Sequence, residues 1–123
     1  MEEIMKLSRV EIITSISKIE PLRKALSKFH ISGMTVYQVL GCGVQHGVQE
    51  FEIDHHKEIS LLPKEVVMMV LPTEELDDLL EFVKKELYTG HIGDGKIFIS
   101  DVQNVVRVRT GEEGYQAVTE GEK

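Results

Sequence analysis

Apolar and polar positions change their period repeatedly along the chain, and each change marks an element. From Leu7 to Ile16 the sequence is dense in Val, Ile and Thr, which fit an extended, half-buried backbone, and a first strand is expected there. Ile19, Leu22, Leu26 and Phe29 then recur at steps of three and four, one apolar face of a helix of about three turns. Pro21 suits the start of that helix, where a missing N–H is tolerated. Ser32-Gly33 breaks it, and Met34 to Leu40 reads as a second strand through Thr35, Val36, Tyr37 and Val39.

From Gly41 to about Leu62 the periodicity fails. Three glycines fall close together, and a stretch of roughly 20 residues without a pattern is long for a connection in a compact domain, where such loops are usually functional. At most, the alternation from Val48 to Ile53 would give a weak hairpin. Lys64 to Leu71 is a third strand, apolar on both faces. Pro72-Thr73-Glu74-Glu75 opens a second helix with Thr73 as its N-cap, and Leu76, Leu79, Leu80, Val83 and Leu87 form its apolar face. After the Gly93-Asp94-Gly95 turn, Lys96 to Ser100 is a fourth strand and Val105 to Val108 a short fifth.

The order β-α-β-(long loop)-β-α-β predicts a single α+β domain over residues 1–123, ferredoxin-like, with an antiparallel four-stranded sheet and two helices on one face. The long loop is placed at about 43–62 and a flexible acidic tail at about 112–123. Val66, Met68 and Val70 point away from Val67, Met69 and Leu71, so the second sheet face needs cover that the chain lacks. Self-assembly is the economical answer.

Charge narrows the partners. With 21 acidic against 14 basic residues the net charge is −7, which repels nucleic acid and anionic lipid. Any bound anion therefore needs a local cluster of donors. The single cysteine, Cys42, forbids an intrachain disulfide and suits a reducing compartment. The longest apolar run, Val66 to Leu71, is far below the roughly 20 residues that span a bilayer, and the N-terminus is acidic and short, so a cytoplasmic protein is expected.

Three segments carry candidate chemistry. In Thr89-Gly90-His91-Ile92-Gly93-Asp94-Gly95-Lys96 the glycines let backbone N–H groups converge on an anion and Lys96 adds a point charge; a plain hairpin turn is the competing reading. Walker spacing is absent. Arg107 and Arg109, two apart on extended backbone, would share a face and jointly hold an anion, or else pair with local acids such as Glu112 or Glu113. Gly41-Cys42-Gly43-Val44-Gln45 is by itself only a hinge for the long loop.

In combination, Thr89 to Ile99 followed by Val106-Arg107-Val108-Arg109-Thr110-Gly111-Glu112 resembles the C-terminal signature of the PII signal-transduction family. Gly33-Met34-Thr35-Val36, Gly41-x-Gly43-x-Gln45-x-Gly47 and Leu62-Pro63-Lys64 resemble the family's other blocks, and the likeness runs from about Val10 to Gly111. It implies a homotrimer with adenine nucleotide, ATP or ADP, in each inter-subunit cleft. Gly93, Asp94, Gly95 and Lys96 would line the phosphates, with Arg107 and Arg109 completing the charge. Gly41, Cys42, Gly43 and Val44 would approach through backbone, and Thr35 and Val70 would flank the base. Gln45 would help hold Mg²⁺ with ATP and 2-oxoglutarate, and Lys64 would pair with a 2-oxoglutarate carboxylate. The long loop, the family's T-loop, would insert into a regulated partner such as a membrane transporter, an enzyme or a transcription factor.

The chain departs from that pattern in places. Lys57 stands where many members carry a uridylylated tyrosine, His55 where some carry a phosphorylated serine, and His91 where lysine is common. Val44 replaces an arginine; losing one guanidinium weakens γ-phosphate contacts by about 1–3 kcal/mol and favours ADP. Adjacent His55 and His56 point oppositely on extended backbone, so with His46 they read as loop histidines rather than metal ligands. Cys42 reads as a packing residue. A nucleotide sensor is expected rather than an enzyme, the Asp94 side chain near the glycines already having a structural role in the turn. The alternatives are a nucleotide hydrolase and a divergent member that senses another small ligand or prefers ADP or AMP.

Overall fold

A computed structural model describes residues 6–29, 31, 33–43, 60–91 and 93–118. Its elements are β1 (Leu7–Thr14), α1 (Ile16–Leu26), β2 (Thr35–Gly43), β3 (Ser60–Pro72), a 3-10 turn (Thr73–Glu75), α2 (Leu76–Leu87), β4 (Lys96–Val102) and a four-residue helix, α3 (Tyr115–Val118). The four strands form one antiparallel sheet in the order β2-β3-β1-β4. This is the ferredoxin-like arrangement.

Strand alternation and register sort the sheet into two faces. Ile12 lies opposite Val67 on one side and Ile97 on the other, and Val10 opposite Met69. These residues, with Leu71, meet Ile19, Leu22 and Leu26 of α1 and Leu79, Val83 and Leu87 of α2 in one core, each fully buried branched side chain contributing about 1.5–3 kcal/mol. Phe29 closes its edge by an edge-on contact with Phe82, ring centroids 5.3 Å apart. The opposite face carries Arg9, Glu11 and Ile13, Val66, Met68 and Val70, Tyr37, and Lys96 and Phe98. No long helix among the described residues covers it.

Several expected boundaries move. Pro21 sits inside α1 rather than at its start, because Ser15 in extended conformation lets the helix begin at Ile16; the ring is exposed, where its bulk meets solvent. Thr73 does not cap α2: its hydroxyl bonds the Ser8 hydroxyl at 2.7 Å, and a 3-10 turn leads into the helix instead. The long loop is shorter than 43–62, since pairing of β2 with β3 continues through Cys42↔Leu61 to Gly43↔Ser60. β1 pairs with β3 only from Glu65 onward, so residues 60–64 are held by β2 alone, and Pro63, lacking an N–H, is accommodated at that one-sided edge. The segment 44–59, and with it the hairpin expected at Val48 to Ile53, lies outside the described residues.

The C-terminal part differs most. In place of a fifth strand over Val105 to Val108 there is one bridge, Val106↔Glu113, closed by a turn in which the Gly111 amide donates to the Arg107 carbonyl at 2.8 Å. The tail expected to be loose from about 112 is held through Val118. α3 packs against β3, with Ala117 and Val118 6% and 3% exposed, because two small apolar residues find burial there.

Candidate functional site

The glycine turn after α2 is organised around one carboxylate. Asp94 accepts from the Thr89 amide at 2.7 Å, the Gly90 amide at 3.0 Å, the Thr89 hydroxyl, and Lys18 Nζ on α1 at 3.4 Å. Hydrogen bonding from the Thr89 side chain first, then from its backbone, with Gly90 and Lys18 adding, holds this carboxyl well below the usual carboxylate range. The Thr89 hydroxyl also accepts the His91 amide at 3.2 Å, and the Asp94 carbonyl accepts the Thr14 hydroxyl at 3.1 Å. Gly95 adopts φ 117°, and a Cβ there would come within 2.5 Å of the Ile13 carbonyl oxygen, so the close approach to β1 admits only glycine. The loop is thus closed as a ring and Lys96, the first residue of β4, emerges from it exposed.

Two consequences follow for the expected site. Asp94 cannot line phosphates with its side chain, since its oxygens are already occupied by donors; only its backbone is available for that role. Lys18, Thr14 and Thr89 hold the loop; the sequence marks Thr89 only as the start of the glycine segment and gives no sign of the other two. Lys18 and Thr14 lie 76 and 80 residues from Asp94, so no local signal points to them. Thr89 could have been found, since a hydroxyl residue five before an aspartate at a glycine turn is placed to bond it.

The arginines also depart from the extended picture. Val108, Arg109 and Thr110 lie in a turn, so residues 107 and 109 do not share a strand face. Arg107 takes the self-paired reading: Nη1 donates to Glu112 Oε1 at 3.0 Å and Nη2 to the Ala117 carbonyl at 3.0 Å. Its side chain is only 19% exposed. Arg109 is exposed. Lys96 opens β4, a seven-residue strand about 20 Å long, whereas Arg107 comes five residues after its other end at Val102.

The remaining described candidates sit on β2 and β3. Thr35 lies opposite Met68, which makes Val70 its diagonal neighbour on the helix-free face, within reach of one planar ring. Lys64 lies opposite Val39 and runs over Gly41: a Cβ on Gly41 would stand 3.4 Å from the lysine Cδ. By register Thr35, Gly41, Gly43, Lys64, Val70 and Lys96 therefore belong to one sheet face, the one left bare by α1 and α2. Cys42 alternates to the other face and is exposed in the single subunit. Val44 and Gln45, and His46, His55, His56 and Lys57, lie outside the described residues. No group of His, Cys, Asp and Glu suited to a metal occurs among the described residues.

A ferredoxin-like domain with Thr35, Gly41, Gly43, Lys64, Val70 and Lys96 on its bare sheet face is the class that fold and site define. The family model for nitrogen regulatory protein P-II matches residues 7–112, and the chain belongs to that family. It is 42% identical over 108 residues to nitrogen regulatory protein GlnK of Escherichia coli K12, an alignment covering 88% of this chain and 95% of that protein. It is 43% identical over 118 residues to nitrogen regulatory protein P-II 2 of Methanothermobacter thermautotrophicus, covering 96% and 97%. Among solved structures it resembles a Bacillus subtilis GlnK–ATP complex, with TM-score 0.77, 32% identity and 94% and 99% of the two chains covered. It also resembles Arabidopsis thaliana PII bound to citrate, with TM-score 0.71, 32% identity and 92% of each chain covered.

Proposed function

We propose that this P-II protein is a trimeric sensor of adenine nucleotide that reports to a protein partner through the segment between β2 and β3. One observation carries the reading: the strand-borne candidates share the helix-free face, while Lys96 opens β4 and the arginines follow five and seven residues after its far end at Val102. A single subunit would offer a polyphosphate Lys96 or the arginine turn; two subunits meeting across that face can offer both. The GlnK–ATP complex among the similar structures supports adenine nucleotide as the ligand.

Within the cleft, the ring held by Asp94 gives the glycine backbone a fixed shape, so amide donors are preorganised rather than ordered on binding. Lys96 supplies charge, Thr35 and Val70 flank the base, and Arg109 is the second cation. Lys64, lying over Gly41, is placed to meet a carboxylate of 2-oxoglutarate, for which the citrate-bound PII is a chemical precedent. Gln45 would complete Mg²⁺ coordination with the ATP phosphates. The partner is a regulated transporter or enzyme. No helix among the described residues is long and apolar enough to cross a membrane, and we place the protein in the cytoplasm.

Sensing is favoured over hydrolysis by the state of Asp94. A general base needs a free lone pair and a pKa near the working pH. This carboxylate accepts from Thr89, Gly90 and Lys18 and is held far below that range. Calorimetry with ATP tests the proposal. Micromolar binding at three sites per trimer without turnover is expected, and Lys96→Ala should abolish it while leaving the fold intact. A Lys96→Ala protein with unchanged affinity would reject the site, and steady ATP turnover above that variant would make the protein an enzyme.

A further inference from the structure

We propose that Glu112 is an internal competitor for phosphate at Arg107, and that a bound polyphosphate displaces its carboxylate and releases α3. This deepens the nucleotide reading above and rests on it. A carboxylate on a guanidinium nitrogen makes the charge-assisted hydrogen bond that a phosphate oxygen makes, so the two anions compete for one donor. Both terminal nitrogens of Arg107 are engaged, Nη1 by Glu112 at 3.0 Å and Nη2 by the Ala117 carbonyl at 3.0 Å.

The surroundings suit an exchange. Glu112 Oε1 also accepts the Thr110 hydroxyl at 3.0 Å, so the carboxylate keeps a donor when the guanidinium leaves it. The Arg107 amide donates to the Glu112 carbonyl at 2.9 Å and the Gly111 amide to the Arg107 carbonyl at 2.8 Å, so the turn survives on its backbone while side chains swap. Asn104 reinforces it, accepting the Gly114 amide at 3.1 Å and donating to Glu113 at 2.9 Å. α3 shares that guanidinium: the Ala117 amide bonds the Gly114 carbonyl at 2.9 Å, Ala117 and Val118 are buried, and the Ala117 carbonyl accepts from Arg107. Drawing the guanidinium to phosphate removes the donor from the Ala117 carbonyl and loosens the segment that packs on β3. Because coupling is reciprocal, loosening that segment also raises nucleotide affinity.

The test pairs calorimetry with hydrogen exchange on the full chain, using ATP. Glu112→Gln keeps the shape and an acceptor but removes the charge; it should bind ATP about tenfold more tightly, the equivalent of about 1.4 kcal/mol for one charge-assisted contact no longer competed for. In the wild-type protein, saturating ATP should speed amide exchange at residues 115–118 about tenfold, a readout that does not require the variant to fold. Should ATP bind the wild type while those amides stay protected, or Glu112→Gln bind no more tightly, the competitor is overturned and the nucleotide site stands. Should the wild type bind no ATP, the nucleotide reading falls and this inference with it.

Discussion

At the scale of single residues, Asp94 shows how one carboxylate can organise a loop. Its carboxylate gathers the Thr89 and Gly90 amides and Lys18, fixing the shape of the loop from which Lys96 emerges. These donors lower its pKa from the usual 3.8, so the interaction belongs to the ionised form. A depressed carboxyl contributes stability that is complete above its unfolded pKa and is lost as pH falls through the folded value. The Thr89 and Gly90 amide resonances should therefore hold steady from pH 7 to about pH 5 and move only in strong acid. In Asp94→Asn they should be displaced at every pH and show no such acid transition. A midpoint near the ordinary aspartate value in the wild type would show that the ring does not hold the charge.

Among the elements, α1 carries a cost that its sequence position disguises. Pro21 lacks the N–H that would meet the Ser17 carbonyl one turn back, and its ring crowds that turn, yet the helix persists because Ile19, Leu22 and Leu26 bury against the sheet. Pro21→Ala restores the bond at an exposed position and should stabilise the protein by about 1–3 kcal/mol, less what proline contributes by restricting the unfolded chain. Thermal unfolding reads this directly, and a lowered midpoint would mean that the proline is structurally required. Elements of this kind were legible because their cause is local: the apolar faces of α1 and α2 and the alternation of β1 and β3 are written at fixed spacing. What was not legible depends on distant partners. The Thr73 hydroxyl turns to Ser8, 65 residues away, instead of capping α2, and the added rungs of β2 and β3 rest on a pairing across the unpatterned segment. The arginines were legible as a pair but not in their geometry, since the Val106↔Glu113 bridge sets a turn where the Val and Arg alternation suggested a strand.

For the whole molecule, the bare sheet face decides how the parts become a sensor. Phe98 is 49% exposed there and Tyr37 39%, flanked by Met68 and Val70, which are half-buried. Arg9 and the Tyr37 hydroxyl both donate to Glu11 Oε2, at 3.0 and 2.9 Å, so the Arg9 and Glu11 charges beside Phe98 are paired within the subunit, while Lys64 and Lys96 stand on the same face nearer the nucleotide candidates. The apolar patch around Phe98 can then be buried without stranding the charge of Glu11. α3 covers part of β3, but Phe98 on the edge strand β4 stays half exposed among the described residues. Copies of the chain meeting across this face would bury Phe98 and bring Lys96 of one subunit toward the arginine turn of the next. Phe98→Asp puts an unpaired charge on that face and beside Glu11, its partner in register, and should cost several kcal/mol at each interface. The expected result by light scattering is a trimer for the wild-type protein and a folded monomer for Phe98→Asp, with ATP binding lost although Lys96, Arg107 and Arg109 are unaltered. A Phe98→Asp monomer that still binds ATP would place the site within one subunit, and a Phe98→Asp trimer would move the interface off this face.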